Sequence, residues 1–275
     1  GAPHLLQDGW LYRALEPMGL AAGKALAIAP TPPLMLSGRI ETASWMPQRM
    51  PAPDEVFLNR VRALYADDAV LSAALQSAWA LETEAAAAVD EPTGGAQKRA
   101  SLNGDLGGLF EGAGKLLATA DGPRVATLEA SGWDTHVNQG AGDGQLARRL
   151  LALDTGIAAM QRAMGPQVWK KTAVLMATEF GRTVRPNGSG GTDHGTGGAA
   201  FLFGGAVQGG SVKAQWVGLS AERLKDGRDQ PAKTDLRALF KGVLAEHMGV
   251  SGTALESLVF PDSASAEPLR QVIGA

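Results

Sequence analysis

Two short polar clusters and one glycine-rich stretch hold the side chains able to bind a metal or an anion. In Ser131-Gly132-Trp133-Asp134-Thr135-His136 a carboxylate and an imidazole stand two residues apart. On an extended chain they point to the same side, because side chains alternate with period two. Such a pair suits zinc or manganese; equally, Asp134 could cap a following turn and His136 could be an exposed loop residue. In Thr178-Glu179-Phe180-Gly181-Arg182-Thr183, Glu179 would leave the end of a buried strand, where a carboxylate is costly unless paired or liganded. Arg182, three residues on, carries a donor fork that fits phosphate or sulfate, or closes a turn as a Glu179–Arg182 ion pair. Residues 186 to 198 contain six glycines in thirteen residues and the pair Asp193-His194. That density excludes a helix or a central strand. It leaves a flexible excursion or a backbone shaped for close approach to a bound group, with Asp193 and His194 both ligating or one supporting the other.

Three other motifs fail. Glu111-Gly112-Ala113-Gly114-Lys115-Leu116 has Leu109 where a phosphate-binding loop needs its first glycine and Leu116 where it needs Ser or Thr. Asn187-Gly188-Ser189-Gly190-Gly191 lacks the first glycine of a nucleophile elbow. No Gly-x-Gly-x-x-Gly joins a strand to a helix, so a dinucleotide site is unsupported. His4 and His247 stand alone and read as surface or capping residues.

The elements that must position these clusters follow from periodicity. Leu5, Leu6, Trp10, Leu11, Leu15 and Met18 recur at helical spacing, Leu26-Ala27-Ile28-Ala29 reads as a short extended piece, and Pro30, Pro32 and Pro33 break it. Asp54 is a plausible N-cap for a helix on which Val56, Val61, Leu64 and Tyr65 form a stripe. An Ala-rich helix from 69 to 89 follows, ended by Pro92-Thr93-Gly94-Gly95. Residues 47 to 53, with Met46 and Met50 beside prolines, are either a packed connection or a partner surface. Past residue 100 helix and strand alternate: helix 105–120, strand 125–129, helix 145–164, buried strand 172–178, strand 199–203, and a closing helix 234–248 with Asp235 near its start. That alternation predicts an α/β fold with a mostly parallel sheet sandwiched by helices, which places ligands after the carboxyl ends of strands. Residues 1–100 are expected to form a mainly helical region packed on an α/β core at 101–275.

Composition narrows the functional classes. The 275 residues are 45% apolar and 5% aromatic, with 36 Gly and no Cys. That is enough for a substantial core, and it excludes a disulfide framework, a thiolate zinc site and a cysteine nucleophile. Twenty-five basic against 28 acidic residues, with the pairs Lys98/Arg99, Arg148/Arg149 and Lys170/Lys171 scattered among acids, argues against a nucleic-acid partner. No run reaches the roughly 18 to 20 apolar residues of a membrane span.

Four blocks in order, Ser131-Gly132-Trp133-Asp134-Thr135-His136-Val137-Asn138-Gln139, Ala177-Thr178-Glu179-Phe180-Gly181-Arg182-Thr183, Gly191-Thr192-Asp193-His194-Gly195 and Phe201-Leu202-Phe203-Gly204-Gly205-Ala206-Val207, resemble the bacterial family of domain of unknown function 1501. Thr234-Asp235-Leu236-Arg237, His247-Met248-Gly249-Val250 and Val259-Phe260-Pro261 resemble that family's C-terminus, while residues 21 to 100 match loosely. The family is related to the alkaline phosphatase and sulfatase superfamily. The resemblance implies an alkaline phosphatase-like parallel sheet with divalent metal (zinc, manganese or calcium) at the ends of strands. It also implies a small phosphate or sulfate ester as substrate, and periplasmic location through a twin-arginine signal. In that scheme Asp134, His136, Glu179, Asp193 and His194 surround the metal and Arg182 is an anion clamp or a partner of Glu179. The superfamily's acidic ligand after the first strand and its Ser or Thr nucleophile find no counterpart here. The expectation is therefore either the C-terminal share of a longer exported polypeptide, impaired as a hydrolase, or a noncatalytic relative that holds an anion or a partner.

Overall fold

A computed structural model describes residues 8–39, 42–46, 54–88 and 106–274. His4, residues 47–53 with Met50, Pro92-Thr93-Gly94-Gly95, Lys98/Arg99 and Asp105 lie outside the described residues.

The chain enters through α1 (Trp10–Leu15), whose Leu11, Ala14 and Leu15 are buried, and passes into β1 (Ala25–Ile28), buried at all four positions. A continuous apolar run of this kind belongs in a parallel strand covered on both faces. β2 (Ala43–Ser44) pairs parallel with one edge of β1. Then come α2 (Glu55–Tyr65), α3 (Ala69–Ala88) and α4 (Leu106–Ala118). The Asp54 cap is formed, its Oδ1 accepting from the Phe57 N–H at 2.7 Å. The expected stripe on α2 is displaced. Leu58 is buried with Val61 and Tyr65 half-buried, whereas Val56 and Leu64 are exposed. At 100° per residue Leu58, Val61 and Tyr65 share one face and Val56 falls opposite them.

β3 (Val125–Leu128) pairs parallel with β1 from Ala25↔Val125 to Ile28↔Leu128, completing a parallel sheet ordered β2-β1-β3. The protein is thus mixed α/β, with seven helices among the described residues. Two of the sheet's three strands come from the first hundred residues. A two-residue strand such as β2 is too short to leave a periodic trace. Leu26, Ile28 and Trp45 pack against Ala113 and Leu116 of α4. Leu116 is fully buried, worth about 1.5–3 kcal/mol for a side chain of its size.

α5 (Gln145–Trp169) breaks at Gly165, whose φ of +69° is left-handed, just before Pro166, which has no N–H to continue the ladder. The strand expected over 172–178 is β4 (Val174–Ala177), half-buried rather than buried. Among the described pairings it joins not the parallel sheet but β7 (Ala200–Phe203), antiparallel, from Val174↔Phe203 to Ala177↔Ala200. Parallel pairing needs a long crossover, usually helical. Here the connection doubles back through β5 (Gly181–Arg182) and β6 (His194–Gly195), themselves antiparallel. The closing helix α6 (Leu236–Met248) is capped by Asp235 and ended by Gly249 in the left-handed conformation, followed by α7 (Gly252–Ala254). Trp10 stacks on Phe240 and Phe260, fastening α1 to this C-terminal part.

Candidate metal centre

After β3 the backbone is irregular through residue 136, with Gly132 at a φ of +87° and the Thr135 N–H bonded to the Trp133 carbonyl at 3.0 Å, so the segment is not the extended chain expected, yet Asp134 and His136 still share a side. Thr135 is buried while Asp134 and His136 turn to the opposite side, with His136 Nε2 2.8 Å from Asp134 Oδ1. The glycine-rich loop lies along this segment. Asn138 N–H bonds the Ser189 carbonyl, Gln139 N–H that of Gly190, and Thr192 N–H that of Thr135. A Cβ on Gly191 would stand 2.2 Å from the His136 carbonyl. The glycine therefore serves close approach of one backbone to another, and the loop is not a loose excursion.

This pairing delivers His194 beside Asp134. His194 Nε2 lies 2.7 Å from Asp134 Oδ1, so that oxygen meets two imidazole nitrogens and, at 2.8 Å, Nη2 of Arg182. The bond to His194 is the main reason that the Asp134 carboxyl is held below the ordinary range. Partial desolvation opposes this shift, and Arg182 and the charges of the two histidines add to it. The His194 ring is stacked on Phe180 at 4.5 Å and on His136 at 5.0 Å.

His136 is bracketed by carboxylates. Its Nε2 faces Asp134 and its Nδ1 lies 3.1 Å from Asp193 Oδ1. A neutral imidazole donates from one nitrogen only. Both contacts are favourable when the ring is doubly protonated or when a cation replaces one of its protons. Asp193 also accepts from Asn187 Nδ2 at 2.9 Å, the largest reason its carboxyl is held low, with His136 second.

Of the five residues expected around a metal, the structure brings three together. Asp134, His136 and His194 each place one ligand atom within 4.8 Å of the others. Asp193 stands behind His136. Glu179 is exposed in the bend after β4 and outside the triad. Because β4 is only half-buried, Glu179 carries no buried charge that demands a partner. Arg182 does not close a turn on Glu179; it bonds Asp134 and the carbonyls of Trp133 and Thr192. Asp134 caps no helix.

Donors about 2.0–2.2 Å from a tetrahedral cation lie about 3.4 Å apart. Entry of zinc thus requires the Asp134–histidine contacts, at 2.8 and 2.7 Å, to open by about 0.6–0.7 Å. Side-chain exposures of 53% for Asp134, 42% for His136 and 53% for His194 leave the centre open on one side.

Sequence reasoning gave no role to Gln139, Asn187 or the threonines behind the centre. Gln139 Oε1 accepts from both Thr135 Oγ1 and Thr192 Oγ1, at 2.8 and 2.7 Å, tying the two ligand-bearing segments from the buried side. Period-two alternation signals Thr135, which must face inward if its neighbours face outward. The Asn187-Gly188 dipeptide signals a turn, but nothing in it announces that the Asn187 amide bonds Asp193 and the His136 carbonyl.

Comparison with curated proteins and with solved structures returns no match. A family model does match, over residues 2–259, a span that includes both segments of the centre and all three strands of the parallel sheet. The chain belongs to the family described as protein of unknown function (DUF1501).

Proposed function

We propose that this protein is a metal-dependent hydrolase acting on a phosphate or sulfate ester, of the alkaline phosphatase and sulfatase type, and that it works in the periplasm, as the family resemblance implies. One observation carries the reading: His136 Nε2, His194 Nε2 and Asp134 Oδ1 converge on one exposed spot. Structural zinc sites close with four protein ligands, whereas hydrolytic sites keep three and an open position. When bound, the cation supplies Lewis acidity at an ester oxygen and a more acidic water. Two imidazoles favour zinc or manganese over calcium, which prefers an all-oxygen shell. The chain's own contribution is to hold the two ligand-bearing segments together through the Thr135–Gln139–Thr192 clamp, and to keep Asp134 ionised through His194 and Arg182.

A specific observation supports the second reading, a noncatalytic scaffold that holds an anion or a partner. Thr135, Thr178, Thr183, Thr192 and Thr196 each donate their hydroxyl within the protein, so these threonines on the site-bearing segments are not poised as nucleophiles. Aryl phosphate and aryl sulfate esters assayed with Zn²⁺ or Mn²⁺, beside metal analysis of wild type and an Asp134→Ala/His194→Ala variant, separate the two. Metal-dependent turnover lost in the variant supports the hydrolase. Stoichiometric metal without turnover supports the scaffold, and equal near-zero metal in both proteins overturns the metal centre.

A further inference from the structure

The geometry points to Asp193, anchored by Asn187, as the positioning residue that presents His136 Nε2 to the metal; this rests on the metal reading above. An imidazole can offer either nitrogen, and a ring turned over about its Cβ–Cγ bond would present its other edge to Asp134. The contact of Nδ1 with Asp193 Oδ1 at 3.1 Å makes one orientation the favoured one. With Nδ1–H donated to that carboxylate, Nε2 keeps its lone pair for the cation. Ligating histidines almost always donate their second nitrogen in this way, which fixes the tautomer and raises the basicity of the ligand.

Asp193 is itself held in place. Asn187 Nδ2 donates to Asp193 Oδ1 at 2.9 Å and to the His136 carbonyl at 3.0 Å. The Asn187 Oδ1 accepts from the N–H groups of Ser189 and Gly191 at 2.9 and 3.1 Å, and its own N–H bonds the Gly191 carbonyl. One amide thus connects the loop backbone, the backbone of the ligand and the carboxylate behind the ligand. Asp193 and His194 are adjacent on extended chain and divide two tasks: His194 joins the triad and Asp193 supports His136. The segments themselves are joined independently by Gln139 on the buried side, so loss of the Asp193 carboxylate removes positioning and leaves the local fold in place.

The test is Zn²⁺ affinity, measured by competition with a chromophoric chelator, for wild type, Asp193→Asn, Asn187→Ala and Asp134→Ala, with the thermal midpoint of each metal-free protein as a folding control. Asp193→Asn is expected to weaken Zn²⁺ binding about 10–100-fold with a midpoint close to wild type, and Asn187→Ala to weaken it likewise with a lowered midpoint, because its side chain also bonds the Ser189 and Gly191 N–H groups and the His136 carbonyl. In the zinc-loaded wild type, nitrogen NMR is expected to show a proton on His136 Nδ1 protected from exchange, and that protection is expected to be lost in Asp193→Asn. Binding by both variants within twofold of wild type, with the Nδ1 proton equally protected, overturns the positioning role while leaving the metal centre intact. Absence of Zn²⁺ binding by wild type and Asp134→Ala alike overturns both.

Discussion

Arg182 reaches from β5 to bond Asp134 Oδ1 at 2.8 Å, although 48 residues separate the two in the chain. The same guanidinium bonds the carbonyls of Trp133 and Thr192, both at 2.6 Å, and lies over the Phe180 ring. It stitches the two ligand-bearing segments together at their edges. Arg182→Ala strips partners from two carbonyls, and each half-buried polar group left unmatched costs about 1–3 kcal/mol. Arg182→Lys keeps the charge but cannot bridge three acceptors with a planar fork. Both variants are expected to lose at least about 1 kcal/mol in urea unfolding, and lysine is expected to recover little of it.

The glycines of the 186–198 loop are not equivalent. At Gly191 a methyl group would meet the His136 carbonyl at 2.2 Å, backbone against backbone, while at Gly188 nothing lies within 4 Å. Gly191→Ala must push the loop away from residues 135–136, an overpacking cost of about 1–3 kcal/mol or more. It is expected to weaken Zn²⁺ binding as well, because His194 arrives with that loop. Gly188→Ala is expected to match wild type in both urea midpoint and Zn²⁺ affinity.

For the Asp134–His136 half of the centre, the two-residue spacing predicts a shared side, and the two do meet, although the chain reaches that geometry through a tight turn at Asp134 and not as extended backbone. His194 is recognisable by type, but its arrival beside Asp134 depends on antiparallel pairing across a loop whose register no local pattern specifies. Glu179 misleads for a related reason. Thr172 to Thr178 reads as a buried strand, and only the partner, β7, reveals that its end opens to solvent. The parallel sheet was readable in kind but not in membership, since β2 is two residues long and β4 and β7 pair with each other antiparallel instead of joining it.

A pH effect is expected far from the centre. Desolvation pushes the Glu246 carboxyl up, but the N–H groups of Val272, Ile273 and Gln271, with Arg270 nearby, outweigh it and hold it below the ordinary range. A depressed carboxyl contributes stability that is fully present above its unfolded value, about 4.3, and is lost as pH falls through the lower folded value. Glu246→Gln is therefore expected to flatten the decline of stability below about pH 4.3, followed by urea unfolding at a series of pH values. An unchanged acid limb would show that residues 271–273 are held by other contacts.

Lys241 is fully buried on α6, and its ammonium bonds Glu256 Oε1 at 2.5 Å and the carbonyls of Ser263 and Ala266 at 2.7 and 3.0 Å. All three donors are used, so the charge organises the turn between residues 256 and 266. Lys241→Met keeps most of the volume but leaves a carboxylate and two carbonyls without their donor. Because Glu256 retains some solvent, the expected loss is about 3 kcal/mol, at the lower end of that for breaking a buried pair. Lys241→Arg, too large for a fully buried site, is not expected to rescue it.

The ligand set itself is open to a direct comparison. Alanine at Asp134, His136 or His194 removes one of the three donors that converge among the described residues, and such a set has no spare. Each of these variants is expected to lower Zn²⁺ affinity by at least about 100-fold, more than the loss expected for a supporting residue. Glu179→Ala is expected to leave affinity unchanged, because its side chain is exposed and outside the triad. If Glu179→Ala weakened binding as much as His194→Ala, the bend after β4 would have to close onto the metal, and the centre would be a four-ligand site. That outcome would count against the open position on which the hydrolase reading depends.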